Sequence, residues 1–322
     1  MYEQFYGLSS KPFQLRPDPN FFFGSKGHKR AASYLEYGLS LEEGFIVITG
    51  EIGAGKTTLL NNLFRKLEPN KIVAAQIVNS RLDSEDTLRM VAIAFDLPYE
   101  NASKATLLSR IEKFLHECAQ QGKRALLLVD EAQNLTAQTV EELRMLSNFQ
   151  TADKSLLQIF LLGQPEFRAT LLGKNMKQLL QRVIATYHLG PLDAEETQAY
   201  IEHRLRTVGW RGDPSFNADV YSSIYDFTGG IPRKINTLCD RLLLMGYLEE
   251  IHAFGKEQID AVIHDIQQEF ILPPEAETEQ LTESSQIKLQ ELDGRVQKME
   301  NSVTTILDLL KQVLLSSIRD KR

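Results

Sequence analysis

The chain has 322 residues, of which 43% are hydrophobic and 25% charged, a composition typical of a globular protein with one large domain and appendages. Its net charge of -7 argues against broad electrostatic attachment to nucleic acid, although a local basic patch is compatible with it. The two cysteines, Cys118 and Cys239, have neither metal-ligand spacing nor a disulfide framework, so we expect buried thiols in a reducing compartment.

Residues 1–44 form an N-terminal arm that is rich in proline and aromatic residues and ends in a predicted helix over residues 28–41. Disordered tails are poor in aromatic residues, so this composition favours an ordered segment. We expect the arm and its helix to pack on the core of the protein.

A glycine-rich loop follows the apolar run 45–49, which is typical of a buried strand. Glycines allow the positive φ angles that point N–H groups into a phosphate-sized hollow, and the helix after the loop adds its dipole. Lys56 would reach the β and γ phosphates and the Thr57 hydroxyl would ligate Mg²⁺. A chance match in an ordinary turn is the alternative, but the strand before the loop and the helical leucine spacing after it disfavour that alternative. The predicted nucleotide-binding residues are Gly50, Glu51, Ile52, Gly53, Ala54, Gly55, Lys56, Thr57 and Thr58.

A second apolar run, residues 125–129, is too short for a helix and ends in Asp130 and Glu131. Ligands of parallel sheets lie at the carboxyl ends of the strands, so we expect both acids to face the phosphate loop from an adjacent strand. Asp130 would then hold the Mg²⁺ shell, and Glu131 would orient the attacking water. A strand that simply ends in solvated acids is the alternative.

Further strands are predicted at 72–78, 156–162 and 184–189, alternating with helices. This alternation predicts a three-layer α/β core with a parallel sheet over residues 45–190. From residue 191 to 270 only helices are predicted, the first of them with a capping box of Asp193 and Glu196, and we interpret them as a helical lid.

Residues 271–286 resemble an acidic linker, and apolar residues in 287–322 recur every three or four positions, which predicts a coiled coil. An amphipathic helix docked on its own domain shows similar spacing and remains the alternative, as does packing on a partner or a membrane surface. No segment reaches the roughly 20 apolar residues of a bilayer span, and the first residues lack a signal region. We expect a cytoplasmic protein that can be peripheral at the inner membrane.

Several short motifs together resemble one family, the AAA+ ATPases of the general secretion pathway protein A type, over about residues 1–270. They are Phe5-Tyr6-Gly7-Leu8, Pro17-Asp18-Pro19, Tyr37-Gly38, Gly50-Glu51-Ile52-Gly53, Asp130-Glu131-Ala132-Gln133, Gly163-Gln164-Pro165-Glu166 and Gly230-Ile231-Pro232-Arg233. The subfamily associated with exosortase, PEP-CTERM and exopolysaccharide loci is similar as well. Members of the wider type continue into a membrane span and a peptidoglycan-binding region. In this sequence the predicted coiled coil stands there instead, so the resemblance does not imply direct wall binding.

The resemblance implies roles for three further residues. Gln164 matches a sensor that contacts the γ phosphate or the water, and Arg233 matches a second sensor that links the γ phosphate to the lid. Arg182 is similar to the arginine finger that one subunit supplies to its neighbour, with Arg168 and Arg144 as alternatives in the same region.

These features predict an oligomeric, ring-forming or filament-forming ATPase that uses Mg-ATP to remodel a partner protein in envelope export or polysaccharide assembly. A DNA-dependent ATPase of the transposition-helper or initiator type is an alternative that the acidic net charge disfavours. A nucleotide-gated scaffold is another, although a pure switch has no need of the water-orienting Glu131.

Overall fold

The computed structural model describes residues 1–78, 84–152, 154–173 and 176–270. The predicted acidic linker (271–286) and coiled coil (287–322) lie outside the described residues. The chain divides into two units, residues 1–264 and 265–322, and the described part of the second unit only continues the last helix. Within the described ranges, no helix combines the length and the apolar character needed to cross a bilayer.

The strands lie within one residue of the five predicted ones, with two short additions. They are β1 (Phe45–Gly50), β2 (Ile72–Ile77), β3 (Arg124–Val129), β4 (Leu157–Gly163), β5 (Val183–Leu189), β6 (Ser215–Phe216) and β7 (Ala253–Phe254). The α-helices are α1 (Tyr2–Phe5), α2 (Lys26–Leu41), α3 (Lys56–Lys66), α4 (Ser84–Ala94), α5 (Lys104–Gln120), α6 (Ala137–Leu146), α7 (Pro165–Leu171), α8 (Lys177–Leu180), α9 (Ala194–Thr207), α10 (Ala218–Thr228), α11 (Pro232–Leu248) and α12 (Lys256–Phe270).

The first five strands form one parallel sheet in the order β2-β3-β4-β1-β5, which confirms the predicted α/β class. Because all five strands run the same way, β1, β3 and β4 end at one edge. One expectation was wrong: the acidic strand β3 is not adjacent to the loop strand β1, because β4 hydrogen-bonds to both and lies between them.

Alternate residues of the central strands feed two separate cores, as the period of two in a β-strand requires. Phe45, Val47 and Ile159 face the layer that contains α4 to α8. Ile46 and Phe160 face the opposite layer, which contains α2 and α3. These strands are buried on both faces, so their sequences are mostly apolar without an alternating pattern, with Thr49 and Gln158 as buried polar exceptions.

Hydrogen-bonded side chains begin many of the helices that surround the sheet. Ser25, Ser103 and Thr136 each accept a hydrogen bond from the N–H three residues later. The capping box predicted for α9 is present, with Asp193 and Glu196 each bonding the backbone of the other.

The helical part after β5 differs from the prediction in one respect, because β6 and β7 pair as a short parallel sheet between its helices. The N-terminal arm also differs from the expectation that it packs on the core along its whole length. Its helix α2 packs on the central sheet, but Tyr2 donates a hydrogen bond to Asp240, Tyr6 to the carbonyl of Ile251, and Ser9 N–H to Val208. The first part of the arm therefore packs on the helices after β5, where these polar partners lie, whereas Phe22 and α2 pack on the core.

Candidate functional site

The loop between β1 and α3 depends on glycine at two positions. Gly53 and Gly55 have φ angles of 83° and 95°, in the left-handed region that glycine adopts without a steric cost. Both are also crowded, since an added Cβ would lie 2.3 Å from Cβ of Arg233 or 2.6 Å from Nε2 of His28. Lys56 begins α3 directly after the loop, so the N–H groups of its first turn and the helix dipole attract an anion there.

Lys56 is buried and held by the loop itself. Its Nζ donates to the carbonyl of Gly50 at 2.7 Å and to that of Glu51 at 3.0 Å. Burial lowers the pKa of the Lys56 ammonium, while Glu131 and Asp130 nearby act in the opposite direction. An anion that contacted Lys56 would further favour the charged ammonium.

The end of β3 meets the start of α3 through one hydrogen bond. The Thr57 hydroxyl donates to Oδ2 of Asp130 at 3.0 Å, and Asp130 is 2% exposed. Burial raises the pKa of Asp130, against hydrogen bonds from Glu131 N–H and the Thr57 hydroxyl. A hydroxyl and a carboxylate are oxygen donors of the kind that Mg²⁺ prefers, so these two residues fit the predicted magnesium position.

No cluster of three or more His, Cys, Asp or Glu side chains suited to a metal occurs in the described part of the chain. Mg²⁺ commonly takes only one or two protein ligands and completes its shell with phosphate oxygens and water, which is compatible with a site at Thr57 and Asp130.

Glu131 lies next to Asp130 in a left-handed backbone conformation with φ of 54°, which costs a residue with a side chain roughly 1–2 kcal/mol. Its Oε2 lies 3.4 Å from Nε2 of Gln164, the residue that follows β4. The ends of β3 and β4 thus bring together the carboxylate and the amide that sequence analysis placed in one site. Strain of this kind is concentrated at functional positions.

A cavity of about 200 Å³ lies beside the glycine-rich loop. It is lined by eight of the predicted site residues: Ile52, Gly53, Gly55, Lys56, Thr57, Thr58, Glu131 and Arg233. Asp130 and Gln164 stand behind this lining and reach it through Thr57 and Glu131. Gly50, Glu51 and Ala54 complete the loop outside the lining.

The two predicted arginines occupy different places. Arg233, the second residue of α11, lies in the cavity lining, and its N–H donates to the carbonyl of Gly53 at 3.2 Å. Arg182 lies outside the lining, and its guanidinium donates to the carbonyl and hydroxyl of Ser147 at 3.1 and 3.0 Å. The arginine-finger role of Arg182 therefore stays a prediction about a neighbouring subunit.

The cavity is also lined by residues that sequence analysis did not assign to the site. Phe21 of the arm and Tyr200 and Arg204 of α9 line it. The Arg204 guanidinium lies 4.7 Å from the Phe21 ring and donates to the Pro12 carbonyl at 2.6 Å, so it joins the lid to the arm. The sequence signal for these residues was the high aromatic content of the arm, which predicted that the arm is packed but did not indicate that it lines a cavity.

His28 also lines the cavity, and we expect it to make stability sensitive to acid. The imidazole is 6% exposed and its Nδ1 lies 2.7 Å from Oγ of Ser25. Burial lowers its pKa below the ordinary 6.5, so the unfolded chain binds the proton more readily than the folded one. The stability that neutral His28 contributes is therefore present above the unfolded pKa and lost as pH falls towards the folded pKa.

His28→Gln removes this titration, so the variant should lose less melting temperature than wild type between about pH 7.5 and about pH 5.5. Thermal melts at both pH values measure the difference. The exposed His264→Gln is the matched control and should behave as wild type. An equal loss of melting temperature in His28→Gln and wild type would contradict the assignment.

The comparisons with known proteins agree with this geometry. The AAA domain family matches residues 40–171. General secretion pathway protein A of Aeromonas hydrophila is 38% identical over 267 residues, which are 83% of this chain and 48% of that protein. The chain thus spans about half the length of this curated relative.

The likeness to solved structures covers about four fifths of the chain. The Aeropyrum pernix ORC2 protein in its ADPNP-ADP complexes has a TM-score of 0.61 at 16% identity, covering 80% of this chain and 71% of that one. The CDC6P protein of Pyrobaculum aerophilum has a TM-score of 0.58 at 14% identity, covering 78% and 69%. Drosophila ORC bound to DNA has a TM-score of 0.56 at 14% identity, covering 80% and 66%. The domain match, the parallel sheet and the glycine-rich loop together identify residues 40–171 as an AAA domain within the fold of a P-loop AAA+ ATPase.

Proposed function

We propose that the chain binds Mg-ATP in the cavity beside the loop and hydrolyses it. The observation that carries this proposal is the 3.0 Å hydrogen bond from Thr57 to Asp130, which brings together two oxygen donors suited to Mg²⁺ next to Glu131. Thr57 and Asp130 would hold the magnesium ion, which would supply positive charge to stabilise the phosphates. The 38% identity to general secretion pathway protein A supports the same class of activity.

The phosphates would lie on the loop N–H groups and beside Lys56, where main-chain dipoles and the ammonium neutralise them. The base would lie between the arm and α9, since Phe21 of the arm and Tyr200 of α9 both line the cavity. Aromatic and apolar surface of this kind suits a planar base.

The hydrolysis roles follow from position. Glu131 would orient and polarise the water, and Gln164, 3.4 Å from it, would contact the water or the γ phosphate. Arg233 would contact the γ phosphate from the lid. Arg182 would act on the ATP of a neighbouring subunit, which requires a homo-oligomer, ring or filament, and release from Ser147.

Calorimetry on the purified full chain tests the binding step directly. We expect uptake of ATP and ADP that depends on Mg²⁺, together with phosphate release from ATP. Folded protein that takes up neither nucleotide would overturn the proposal.

The partner would be a protein of an envelope secretion system, with exosortase-linked or exopolysaccharide export as the finer assignment. The support is the identity to general secretion pathway protein A together with the motif resemblance; contact with the inner membrane is part of the same proposal. A DNA-dependent ATPase is the second candidate, because the fold resembles that of Drosophila ORC bound to DNA. Phosphate release measured with and without duplex DNA separates the two candidates, since only the second requires stimulation.

A further inference from the structure

The side-chain amide of Gln133 connects the ends of β3 and β4. Its Nε2 donates to Oε2 of Glu131 at 2.5 Å, and its Oε1 accepts from the N–H of Gln164 at 2.9 Å. Both contacts require this orientation of the amide, because an ionised carboxylate only accepts and a backbone N–H only donates. A flipped amide would lose both bonds.

The surrounding backbone leaves room for this bridge. Gly163 ends β4, and a Cβ there would lie 3.3 Å from both N and Oε1 of Gln133 and 3.1 Å from Cβ of Phe167. Any larger residue at this position would press on the bridging amide. Gln133 itself is held within a short 3₁₀ turn, Ala132–Asn134, whose first residue is fully buried.

The Gln133 bridge restrains Glu131, whose carboxylate must be correctly oriented for the proposed hydrolysis. Glu131 already has a left-handed backbone, and the Gln133 amide fixes the direction of one of its carboxylate oxygens. The same amide accepts a hydrogen bond from the backbone of Gln164, so one side chain bonds both the carboxylate and the strand end that carries the sensor. Such support is what a water-orienting carboxylate needs, because small displacements of a reacting group lower rates strongly.

We propose that Gln133 is a positioning residue for ATP hydrolysis, which holds the Glu131 carboxylate in register with Gln164. This inference rests on the proposed ATPase function. Gln133 does not line the cavity and is not expected to touch ATP. Its removal should therefore slow the chemical step and leave ATP binding unchanged.

Gln133→Met keeps the length of the side chain and removes both hydrogen bonds. We expect kcat for phosphate release to fall about tenfold or more while KM for ATP changes by less than about twofold. Gln158→Met is the matched control, because Gln158 is a buried glutamine whose amide bonds Gly38 and Glu43 on the other end of the sheet. That variant should melt at a lower temperature without the selective loss of kcat.

A double-mutant cycle with Glu131→Gln distinguishes positioning from general damage. If Gln133 acts through the Glu131 carboxylate, Gln133→Met should slow the Glu131→Gln enzyme by less than about twofold in single turnover. If Gln133→Met slowed the Glu131→Gln enzyme by the same factor as it slows wild type, the proposal would be overturned. A wild-type kcat in Gln133→Met would also overturn it.

Gln133→Glu separates the two ends of the bridge, because it keeps an acceptor for Gln164 N–H and sets a second carboxylate against Glu131. We expect a larger loss of kcat than in Gln133→Met, and an equal or smaller loss would count against the inference. Wild-type protein without ATPase activity would refute the proposed function itself. Active wild type, a slow Glu131→Gln enzyme and an unaffected Gln133→Met enzyme would refute only the role of Gln133.

Discussion

Lys56→Ala should reduce Mg-ATP affinity by about two orders of magnitude or more, because the variant loses the charge-assisted contacts to the β and γ phosphates. The structure strengthens this expectation, since the Lys56 ammonium is buried at the N-terminus of α3 and donates hydrogen bonds to the carbonyls of Gly50 and Glu51. Alanine keeps the helix, because its helix propensity is the highest of all residues. Calorimetric titration with Mg-ATP measures the loss.

Lys66→Ala is the control for this experiment. Lys66 ends the same helix, is exposed, and pairs with Glu36 in a surface ion pair at 3.4 Å, which contributes little to stability. Its affinity for Mg-ATP should equal that of wild type. A Lys56→Ala protein that bound Mg-ATP normally would show that the loop does not hold the phosphates.

Glu131→Gln should bind Mg-ATP as wild type does but lose about two to four orders of magnitude in kcat, because an amide cannot polarise the attacking water as a carboxylate does. The change is nearly isosteric, and the left-handed backbone at this position is equally strained for both residues. Phosphate release at saturating Mg-ATP and calorimetric affinity together give the two quantities.

Glu166→Gln supplies the matched control, since Glu166 is an exposed carboxylate in the first turn of α7 at the same sheet edge. It should retain wild-type turnover. Normal turnover in Glu131→Gln would place the hydrolytic carboxylate elsewhere. Very slow turnover of wild type, with assembly that depends strongly on ATP, would instead favour a nucleotide-gated scaffold.

Much of the fold was predictable because its elements have strong local signals. Fully buried parallel strands are continuous apolar runs, and each predicted strand begins and ends within one residue of the observed one. The glycine-rich loop and the acids after β3 were likewise readable, since their chemistry depends on residue types at fixed spacing along one segment. The two-residue strands β6 and β7 were not predictable, because two residues carry no periodicity.

The part of the cavity lining that comes from the arm and α9 was harder to predict for a different reason. Phe21, Tyr200 and Arg204 come from segments far apart in the chain, and an aromatic or arginine residue in isolation is compatible with many environments. These residues come together because the arm contacts both α9 and the core helix α3.

The sequence by itself determined which residue types follow each strand: a glycine-rich loop after β1, two carboxylates after β3, and an amide after β4. Only the tertiary structure decided how these ends meet, because strand order is set by hydrogen bonding and packing between segments distant in sequence. It placed β4 between β1 and β3, so that Gln164 lies beside Glu131 and Gln133 bridges the two. Local periodicity determines each strand but contains no information about its neighbours in the sheet.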